Sequence, residues 1–406
     1  MNKRIQDVYD VALNILKPSR RDLERGLKLH KNSIVIDAYG FAPRSAVDGD
    51  AIRKAIEQGA SETELKDLTE EMQMMRHLID KTEQQEFKEA WEASGVTCIF
   101  QNAGEEGQSP LRLIKRFARF THVTDVMRDF LNRATVPDDI ESTKKQGRYC
   151  FYLTMNGVPL MQQWNSVEEE LAYIRIFFQL GCRMMHLTYN RRNMIGDGCA
   201  EPANAGLSDF GRTVVREMNH IGVIVDIAHS GWQTSLESAK VSERPVVASH
   251  STCLAINKHC RAKPDEVIRA IADTGGYIGI CCIPAFLGGM GDITSMLDHI
   301  EYITKKFGTD YVAIGTDTSD ISRNDRKESK KIPKRRRIHP RFANFWPEND
   351  PLFDPKWRQE KQLMSLAWTN WPLFTVGLVQ RGYSDKDIQK IIGGNVLRVA
   401  RAVLPT

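Results

Sequence analysis

Eight short apolar runs, rich in β-branched residues, alternate along this chain with longer segments of helical periodicity. Nearly continuous hydrophobicity is typical of strands that are covered on both faces, as they are in parallel sheets. The segments between the runs, such as DEVIRAIADTG and SMLDHIEYITKKFG, place apolar residues at i, i+3 and i+4 and end at glycine. In chain order the runs are SIVID (33–37), GVTCIF (95–100), YCFYLTM (149–155), CRMMHLT (182–188), GVIVDIA (222–228), PVVAS (245–249), GGYIGICC (275–282) and YVAIGTD (311–317).

Eight β/α units in a chain of 406 residues predict one (β/α)8, or TIM, barrel domain over residues 1–406. The alternative is an open, doubly wound sheet. No G-x-G-x-x-G or Walker pattern follows any of the runs, which disfavours the nucleotide-binding form of that alternative.

Two insertions interrupt the predicted barrel. The first, at about 42–94, is polar and helical, and its methionine-rich face is expected to pack against the barrel. The second, at about 320–360, begins with the basic run RNDRKESKKIPKRRR (323–337). Such a run is more typical of a solvated loop than of a docking site for an anion. The aromatic segment that follows, FANFWPENDPLFDPKW (342–357), is expected to fold down as a lid or a subunit contact, because exposed aromatic rings are unfavourable in water.

Composition narrows the class of protein. A net charge of +4 gives no reason to expect nucleic acid or an anionic membrane as a partner. No segment approaches the roughly 18 apolar residues of a membrane span, and the N-terminus has no apolar run of signal-peptide type. The eight cysteines include no C-x-x-C pair. Reduced thiols, and hence a cytoplasmic protein, are therefore expected.

The carboxyl ends of barrel strands carry the active site in this architecture, so the residues there are the candidates for chemistry. His229 and His250 end adjacent strands and could converge on one Zn²⁺-type ion, which Asp317 could ligate or assist by taking a proton. Cys281 and Cys282 are expected to be buried strand residues and not nucleophiles. The predicted strand-end residues are Tyr39 with Phe41, Gln101, Asn156, Tyr189, His229, His250, Cys281 or Cys282, and Asp317, while Asp37 and Asp226 lie within strands and could orient ligands.

Several longer segments resemble the membrane (renal) dipeptidase family of metallopeptidases. They are AGLSDFGRTVVREMNHIG, GVIVDIAHSG, PVVASHSTCLAINKHCRAKPDEVIRAIADTGGYIGI, YVAIGTDTSD and WPLFTVGLVQRGYSDKDIQKIIGGNVLRVA. The resemblance runs, with gaps, from about residue 30 to 402. It implies an amidohydrolase-like barrel with a two-zinc centre, hydrolysis of dipeptides, and a homodimer.

One half of the family's site is present. His229 and His250 match the two histidine ligands of the family's second metal. Arg261, in HCRAKPDE, matches the arginine that holds the substrate carboxylate, a role suited to a planar bidentate donor. Asp317 matches the aspartate credited with proton transfer.

The other half is absent. The family's first-metal histidine and aspartate are replaced by Tyr39 and Phe41, its bridging glutamate by Asn156, and its substrate-contacting histidine by Tyr189. A phenylalanine offers no donor atom, and a neutral amide bridges two dications poorly. The resemblance therefore predicts one divalent metal, zinc, with the family's first metal absent.

Three interpretations follow. The first is a hydrolase of a dipeptide or related amide, with one metal on His229, His250 and Asp317. The second is a lyase or isomerase that acts on a carboxylate substrate, with Tyr39 and Tyr189 as acid and base. The third is a non-catalytic binding protein. In the enzymatic interpretations the small-molecule substrate carries a carboxylate and contacts Arg261, Asn156 and Tyr189. The joint presence of His229, His250, Arg261 and Asp317 favours an enzyme.

Overall fold

Eight parallel strands form the wall of a nearly closed barrel in the computed structural model, which describes residues 2–105, 107–163, 165–334 and 344–404. The strands are β1 (Ile36–Gly40), β2 (Cys98–Glu105), β3 (Leu131–Arg133), β4 (Tyr149–Asn156), β5 (Cys182–His186), β6 (Ile224–Asp226), β7 (Val246–Cys253), β8 (Ala262–Lys263), β9 (Ile278–Ile280) and β10 (Val312–Ile314). The wall order is β1–β2–β4–β5–β6–β7–β9–β10, while β3 pairs with β4 and β8 with β7. Each predicted apolar run overlaps one wall strand, so the predicted (β/α)8 barrel is confirmed and the open-sheet alternative is wrong.

The barrel interior is filled by alternate residues of the wall strands. Successive side chains of a strand point to opposite faces, so residues two apart share the inner face. The result is a packed interior and not a pore. The inward residues include Ile36, Ala38, Cys98, Phe100, Cys150, Tyr152, Met184, Ile224, Val247, Tyr277 and Ala313, against which the helix Asn395–Val403 also packs.

Helices cover the outer face of the wall, whereas Asn395–Val403 packs against its inward-facing residues. Helix ends follow from local sequence: Ser208 accepts a hydrogen bond from Gly211 N–H at the start of one helix, and Gly222, with φ of 92°, ends it. The α-helices are Lys3–Leu16, Arg20–Asn32, Gly49–Glu57, Glu62–Met75, Lys81–Ser94, Pro110–Val126, Pro137–Lys145, Val167–Gln179, Asp209–Ile221, Trp232–Val241, Asp265–Asp273, Pro284–Leu287, Ile293–Lys306, Asp325–Ser329, Glu360–Ser365, Trp371–Gln380, Asp385–Gln389 and Asn395–Val403.

The buried side chain of Asp37 links β1 to the segment that follows β10. Asp37 accepts hydrogen bonds from Thr316 N–H (2.8 Å) and Thr316 Oγ1 (2.6 Å), which follow β10. It also accepts from the indole N–H of Trp368 at 3.1 Å. Nearby, Asp317 N–H donates to the carbonyl of Tyr39 at 3.0 Å. Asp37 therefore joins three separate segments where the barrel closes.

The first insertion forms three helices, Gly49–Glu57, Glu62–Met75 and Lys81–Ser94. Met72 packs in a small cluster with Val47 and Ile52, while Met74 and Met75 pack against the main core. The methionine-rich face is thus a packing face, as the sequence indicates.

The described parts of the second insertion pack against the barrel. Within the basic run, Arg323 pairs with Glu86 at 3.0 Å and Lys331 with Asp50 at 2.8 Å, whereas residues 335–337 lie outside the described residues. Of the aromatic segment, residues 344–357 are described. Trp346 is 4% exposed and packs with Phe286, so this part folds down onto the barrel as expected.

Two further properties of the chain bear on its class. None of the eight cysteines is joined in a disulfide in the structure. Across the described ranges, none of the helices combines the length and apolar character that crossing a bilayer requires.

Candidate active site

A cavity of about 710 Å³ opens at the carboxyl ends of the wall strands. Such concave sites with a few convergent polar groups are where small ligands bind. Among the predicted site residues, Phe41, Asn156, Tyr189, His229, Arg261 and Asp317 line the cavity, together with Phe345, Trp346 and Leu352 of the second insertion. Tyr39 and His250 are fully buried and do not belong to the lining formed by the described residues.

Two imidazoles converge beside the cavity floor. His229 Nε2 lies 2.9 Å from His250 Nε2. His229 Nδ1–H donates to Asn190 Oδ1 at 2.6 Å, which leaves the lone pair of His229 on Nε2. His250 Nδ1 lies 2.9 Å from Ser249 Oγ.

Both imidazoles are held in the neutral form. Burial, aided by the charge of Arg261, lowers the pKa of His229 and of His250 well below 6.5. Neutral imidazoles with fixed Nδ1 partners and converging Nε2 atoms suit a divalent metal ion of zinc type. In this structure the two Nε2 atoms share a hydrogen bond at 2.9 Å. The residues present fit one such ion if it replaces this hydrogen bond and the two nitrogens move to roughly 3.3 Å apart, as in a tetrahedral zinc site.

Tyrosine rings cover both histidines. The Tyr39 ring stacks on His250 with 4.0 Å between centroids, and the Tyr189 ring stacks on His229 at 4.2 Å. Phe41 contacts the edge of Tyr39 at 5.8 Å. Burial raises the pKa of Tyr39 and of Tyr189 above the usual value, so both phenols stay protonated at neutral pH. Within the described part of the chain, the buried Tyr39 hydroxyl has no hydrogen-bond partner.

A second polar group lies deeper in the barrel. The ligand atoms of His186, Asp226 and His250 all lie within 4.8 Å of one another. His186 Nε2 faces Asp226 Oδ2 at 3.0 Å, and Asp226 Oδ1 accepts from Ala228 N–H and Ser249 N–H. Among the described residues, no group that meets this distance limit combines His229 with Asp317.

His186 was not among the sequence candidates. It lies inside the run CRMMHLT and not at its end. The alternation of side chains along a strand could have indicated it. His186 is two residues from the inward-facing Met184 and therefore lies on the same face of β5.

Arg261 ties together the segments that carry the two histidines. Its Nη1 donates to the carbonyl of Ala228, and its Nη2 donates to the carbonyl of His250 at 3.0 Å. Its buried Nε has no hydrogen-bond partner among the described residues. Asn156 Oδ1 is likewise buried and unpartnered in the described structure, and both residues line the cavity.

Asp317 projects into the same cavity from an unusual backbone conformation. Its φ is 55°, in the left-handed region that aspartate tolerates better than most residues. Burial raises its pKa to about 6, against the charges of Arg261 and Arg44, which act in the opposite direction. A carboxyl group with such a pKa can exchange a proton near neutral pH.

The adjacent cysteines at the end of β9 are not in a reactive setting. Cys281 and Cys282 are buried, as predicted. Burial raises the pKa of Cys281 to about 12 and that of Cys282 well above 9.0, so both remain thiols.

Fold and site together define a (β/α)8-barrel protein of amidohydrolase type, with a histidine pair beside a cavity at the strand ends. The family model described as membrane dipeptidase (peptidase family M19) matches residues 23–334, and the chain belongs to this family.

The curated relatives include two fungal proteins. Dipeptidase tcpJ of Claviceps purpurea is 26% identical over 286 residues, or 69% of this chain and 57% of the relative. Dipeptidase verJ of Clonostachys rogersoniana is 26% identical over 278 residues, or 68% of this chain and 61% of the relative. The chain thus spans less than two thirds of either protein's length.

Solved structures share the architecture. An amidohydrolase from Pseudomonas aeruginosa has a TM-score of 0.66 at 26% identity, covering 93% of this chain and 98% of that one. The probable dipeptidase PvdM from the same organism has a TM-score of 0.65 at 17% identity, with coverages of 95% and 98%, and supports the fold alone.

Proposed function

We propose that this protein is a metal-dependent hydrolase that cleaves a dipeptide or a related amide with one divalent metal ion. The observation that carries the proposal is the 2.9 Å approach of two neutral imidazoles, His229 and His250, beside the cavity. Membership of the membrane dipeptidase family supports the reaction class. A zinc ion at this pair would supply a Lewis acid and a water that ionises near neutral pH.

One ion is proposed and not the family's two. Phe41 stands where the family has a ligand and offers no donor atom. Tyr39 lies against His250 as a stacked ring, and Asn156 offers a neutral amide in place of a bridging carboxylate. Asp317 is proposed as the third ligand of the remaining ion or as the group that transfers the proton.

The deeper group of His186 and Asp226 is assigned a supporting role. Neither side chain belongs to the cavity lining formed by the described residues, so an ion held between them could not reach a substrate. The ring of His186 also contacts the ring of His250, with 5.2 Å between the two centroids. The pair therefore fixes the orientation of His250.

The substrate contacts are proposed from position and chemistry. Arg261 is to hold the substrate carboxylate through its unpartnered Nε–H and a remaining terminal N–H, because each terminal nitrogen uses only one of its two N–H groups on a carbonyl. Asn156 offers an unpartnered oxygen, and Tyr189 a phenol, to the polar atoms of the substrate. We also propose that the ion is zinc and that residues 1–406 form a single domain. The protein is proposed to be a cytoplasmic homodimer.

An activity screen tests the proposal. The purified protein is assayed on dipeptides, on the same dipeptides with amidated carboxyl ends, on N-acyl amino acids and on lactones. Cleavage of free dipeptides that is lost on amidation supports both the proposed reaction and the proposed binding of the substrate carboxylate by Arg261. Turnover of lactones alone, or elimination products in place of hydrolysis, contradicts it.

The proton-transfer role of Asp317 predicts a pH dependence. The group acts as a carboxylate, and its pKa is raised to about 6, so kcat/KM is expected to rise with pH through about 6 and to level above it. Asp317→Asn should remove this limb along with most turnover. A pH–rate profile of the wild type that is flat from pH 5 to pH 7 contradicts the role.

Tyr39 separates hydrolysis from the alternative lyase or isomerase chemistry. Tyr39→Phe is expected to leave turnover within a factor of a few and the fold no less stable, because it removes a buried hydroxyl without a partner, a group that costs about 1–3 kcal/mol. Tyr277→Phe is the matched control, since that hydroxyl is also buried and unpartnered in the described structure. A collapse of activity in Tyr39→Phe alone, with an intact fold, favours Tyr39 as an acid or base.

A further inference from the structure

Part of the active-site cavity is lined by apolar side chains that pack against one another. Two of them follow β9, three belong to the second insertion, and all belong to one hydrophobic cluster. The rings of Phe286 and Trp346 are nearly buried, with 5.6 Å between their centroids. We call this surface the apolar wall, and it consists of Ile283, Phe286, Phe345, Trp346 and Leu352.

The apolar wall is held in place through its backbone. Arg191 Nη2 donates to the carbonyl of Trp346 at 2.6 Å, which joins the wall to the segment after β5. Asp350 Oδ1 accepts Leu352 N–H at 2.9 Å, and the same oxygen lies 3.2 Å from His259 Nε2. The wall is therefore formed without a ligand, and binding requires little further ordering of the protein.

The apolar wall lies beside the arginine that is proposed to hold the substrate carboxylate. Arg261 Cζ is 5.7 Å from the centroid of the Phe286 ring. In the C-terminal residue of a dipeptide, Cβ and the carboxylate carbon are bonded to the same Cα and lie about 2.5 Å apart. Since the scissile amide has to face His229, the side chain of that residue is the group left to contact the wall.

The charged residues of the described cavity lining lie outside the apolar wall. Burial of an unpaired charge against such a surface is strongly unfavourable, whereas burial of a phenyl or isobutyl group is favourable. The wall therefore favours a large apolar side chain over that of aspartate, glutamate or lysine. The charged lining residues are Lys66 and Asp67 of one helix, Arg112 and Lys115 of another, Glu105 at the end of β2, and Arg261 and Asp317.

We propose that the site takes dipeptides whose C-terminal residue carries a large apolar side chain, such as phenylalanine or leucine, and that the apolar wall determines this specificity. The cavity of about 710 Å³ lies within the range of pockets that enclose whole small-molecule ligands. The inference rests on the proposed function, which supplies the carboxylate at Arg261 and the amide at His229. The affinity of the wall for the side chain does not itself require cleavage.

A comparison of dipeptides tests the specificity in the purified full-length protein. The value of kcat/KM is expected to be at least about tenfold higher for Gly-Phe and Gly-Leu than for Gly-Ala, because each buried methylene contributes to discrimination. Gly-Asp should be cleaved more slowly than Gly-Ala. Equal values for all four, or a preference for phenylalanine that appears in Phe-Gly and not in Gly-Phe, overturns the inference.

Variants of the wall assign the preference to named residues. Phe345→Ala and Leu352→Ala alter half-buried side chains, and each is expected to reduce the ratio of kcat/KM for Gly-Phe to that for Gly-Ala about threefold or more. Leu363→Ala is the matched control, since this leucine is 50% exposed and outside the described cavity lining, and it should keep the ratio. An unchanged ratio in both wall variants overturns the role of the wall.

A binding measurement separates this inference from the proposed reaction. The carboxylates 3-phenylpropanoate, propanoate and succinate are phenylalanine, alanine and aspartate without the amino group, and they contain no amide to cleave. By calorimetric titration, 3-phenylpropanoate is expected to bind at least about tenfold more tightly than the other two, and Leu352→Ala, but not Leu363→Ala, should weaken it. Equal affinities overturn the inference even if dipeptides are cleaved. The expected preference without cleavage of any dipeptide supports the wall and contradicts the proposed function.

Discussion

Alanine in place of His229 or His250 is expected to remove one metal ion per chain and to reduce turnover by more than roughly 100-fold. Loss of a residue that only hydrogen-bonds to a metal ligand already reduces metal affinity or activity by up to about 100-fold, and loss of a ligand itself should reduce turnover further. Each imidazole supplies half of the converging pair of Nε2 atoms. After either substitution the remaining histidine faces a stacked tyrosine ring, which cannot supply the missing donor. Metal content is measured by elemental analysis of protein purified without added metal, and turnover on the substrate found in the screen.

The matched control is His220→Ala, which removes an exposed histidine near the end of its helix. It should keep both the metal and the activity. Unchanged metal content in both His229→Ala and His250→Ala removes the assignment of the active-site ligands. Loss of metal with retained turnover contradicts a catalytic role for the ion.

Asp37→Asn is expected to lower the free energy of unfolding by about 1–3 kcal/mol, the range for leaving a buried donor without its acceptor. The carboxylate accepts from Thr316 N–H, Thr316 Oγ1 and Trp368 Nε1, and all three donors lie at the closing seam of the barrel. An amide NH₂ turned toward the Trp368 indole cannot accept its hydrogen bond. Urea unfolding followed by circular dichroism gives the difference.

Asp273→Asn serves as the control for this substitution, since Asp273 is exposed at a helix end and outside the seam. Its effect should stay within about 0.5 kcal/mol, as for most surface changes. Equal stability of wild type and Asp37→Asn contradicts the role of the carboxylate in closing the barrel.

The wall of the barrel could be predicted from sequence because its strands are covered on both faces. That burial makes each strand a continuous apolar run such as GVIVDIA, which no exposed strand would tolerate. The two short strands were not foreseen. β3 is three residues, LNR, and β8 is two, AK, so neither carries an apolar pattern, and both exist through pairing with a longer neighbour.

The site was only partly predictable, because the sequence shows which residues lie at the ends of strands but not how deep in the barrel their side chains lie. The sequence indicated His229 and His250, which the structure brings together. Tyr39 was also predicted as a site residue. In the structure its ring is buried and stacks on His250, outside the described lining of the cavity, and the sequence does not show this difference. His186 was missed, because its inward direction depends on the register of β5.

Hydrogen bonds to backbone carbonyls are equally invisible in sequence. Arg261 was predicted, from its match to a family motif, to bind the substrate carboxylate. In the structure its terminal nitrogens donate to the carbonyls of Ala228 and His250, which join the two histidine segments. Only the folded chain shows which part of a side chain is left for a ligand.

The active centre is proposed to hold one metal ion, between His229 and His250. Anomalous diffraction at the zinc absorption edge, from crystals of protein purified without chelators, tests it most directly. A peak is expected within bonding distance of both Nε2 atoms, about 2.0–2.1 Å for zinc, and no peak is expected beside Phe41 or Asn156. A peak beside Asn156, or a peak confined to His186 and Asp226 with none at His229, would contradict it.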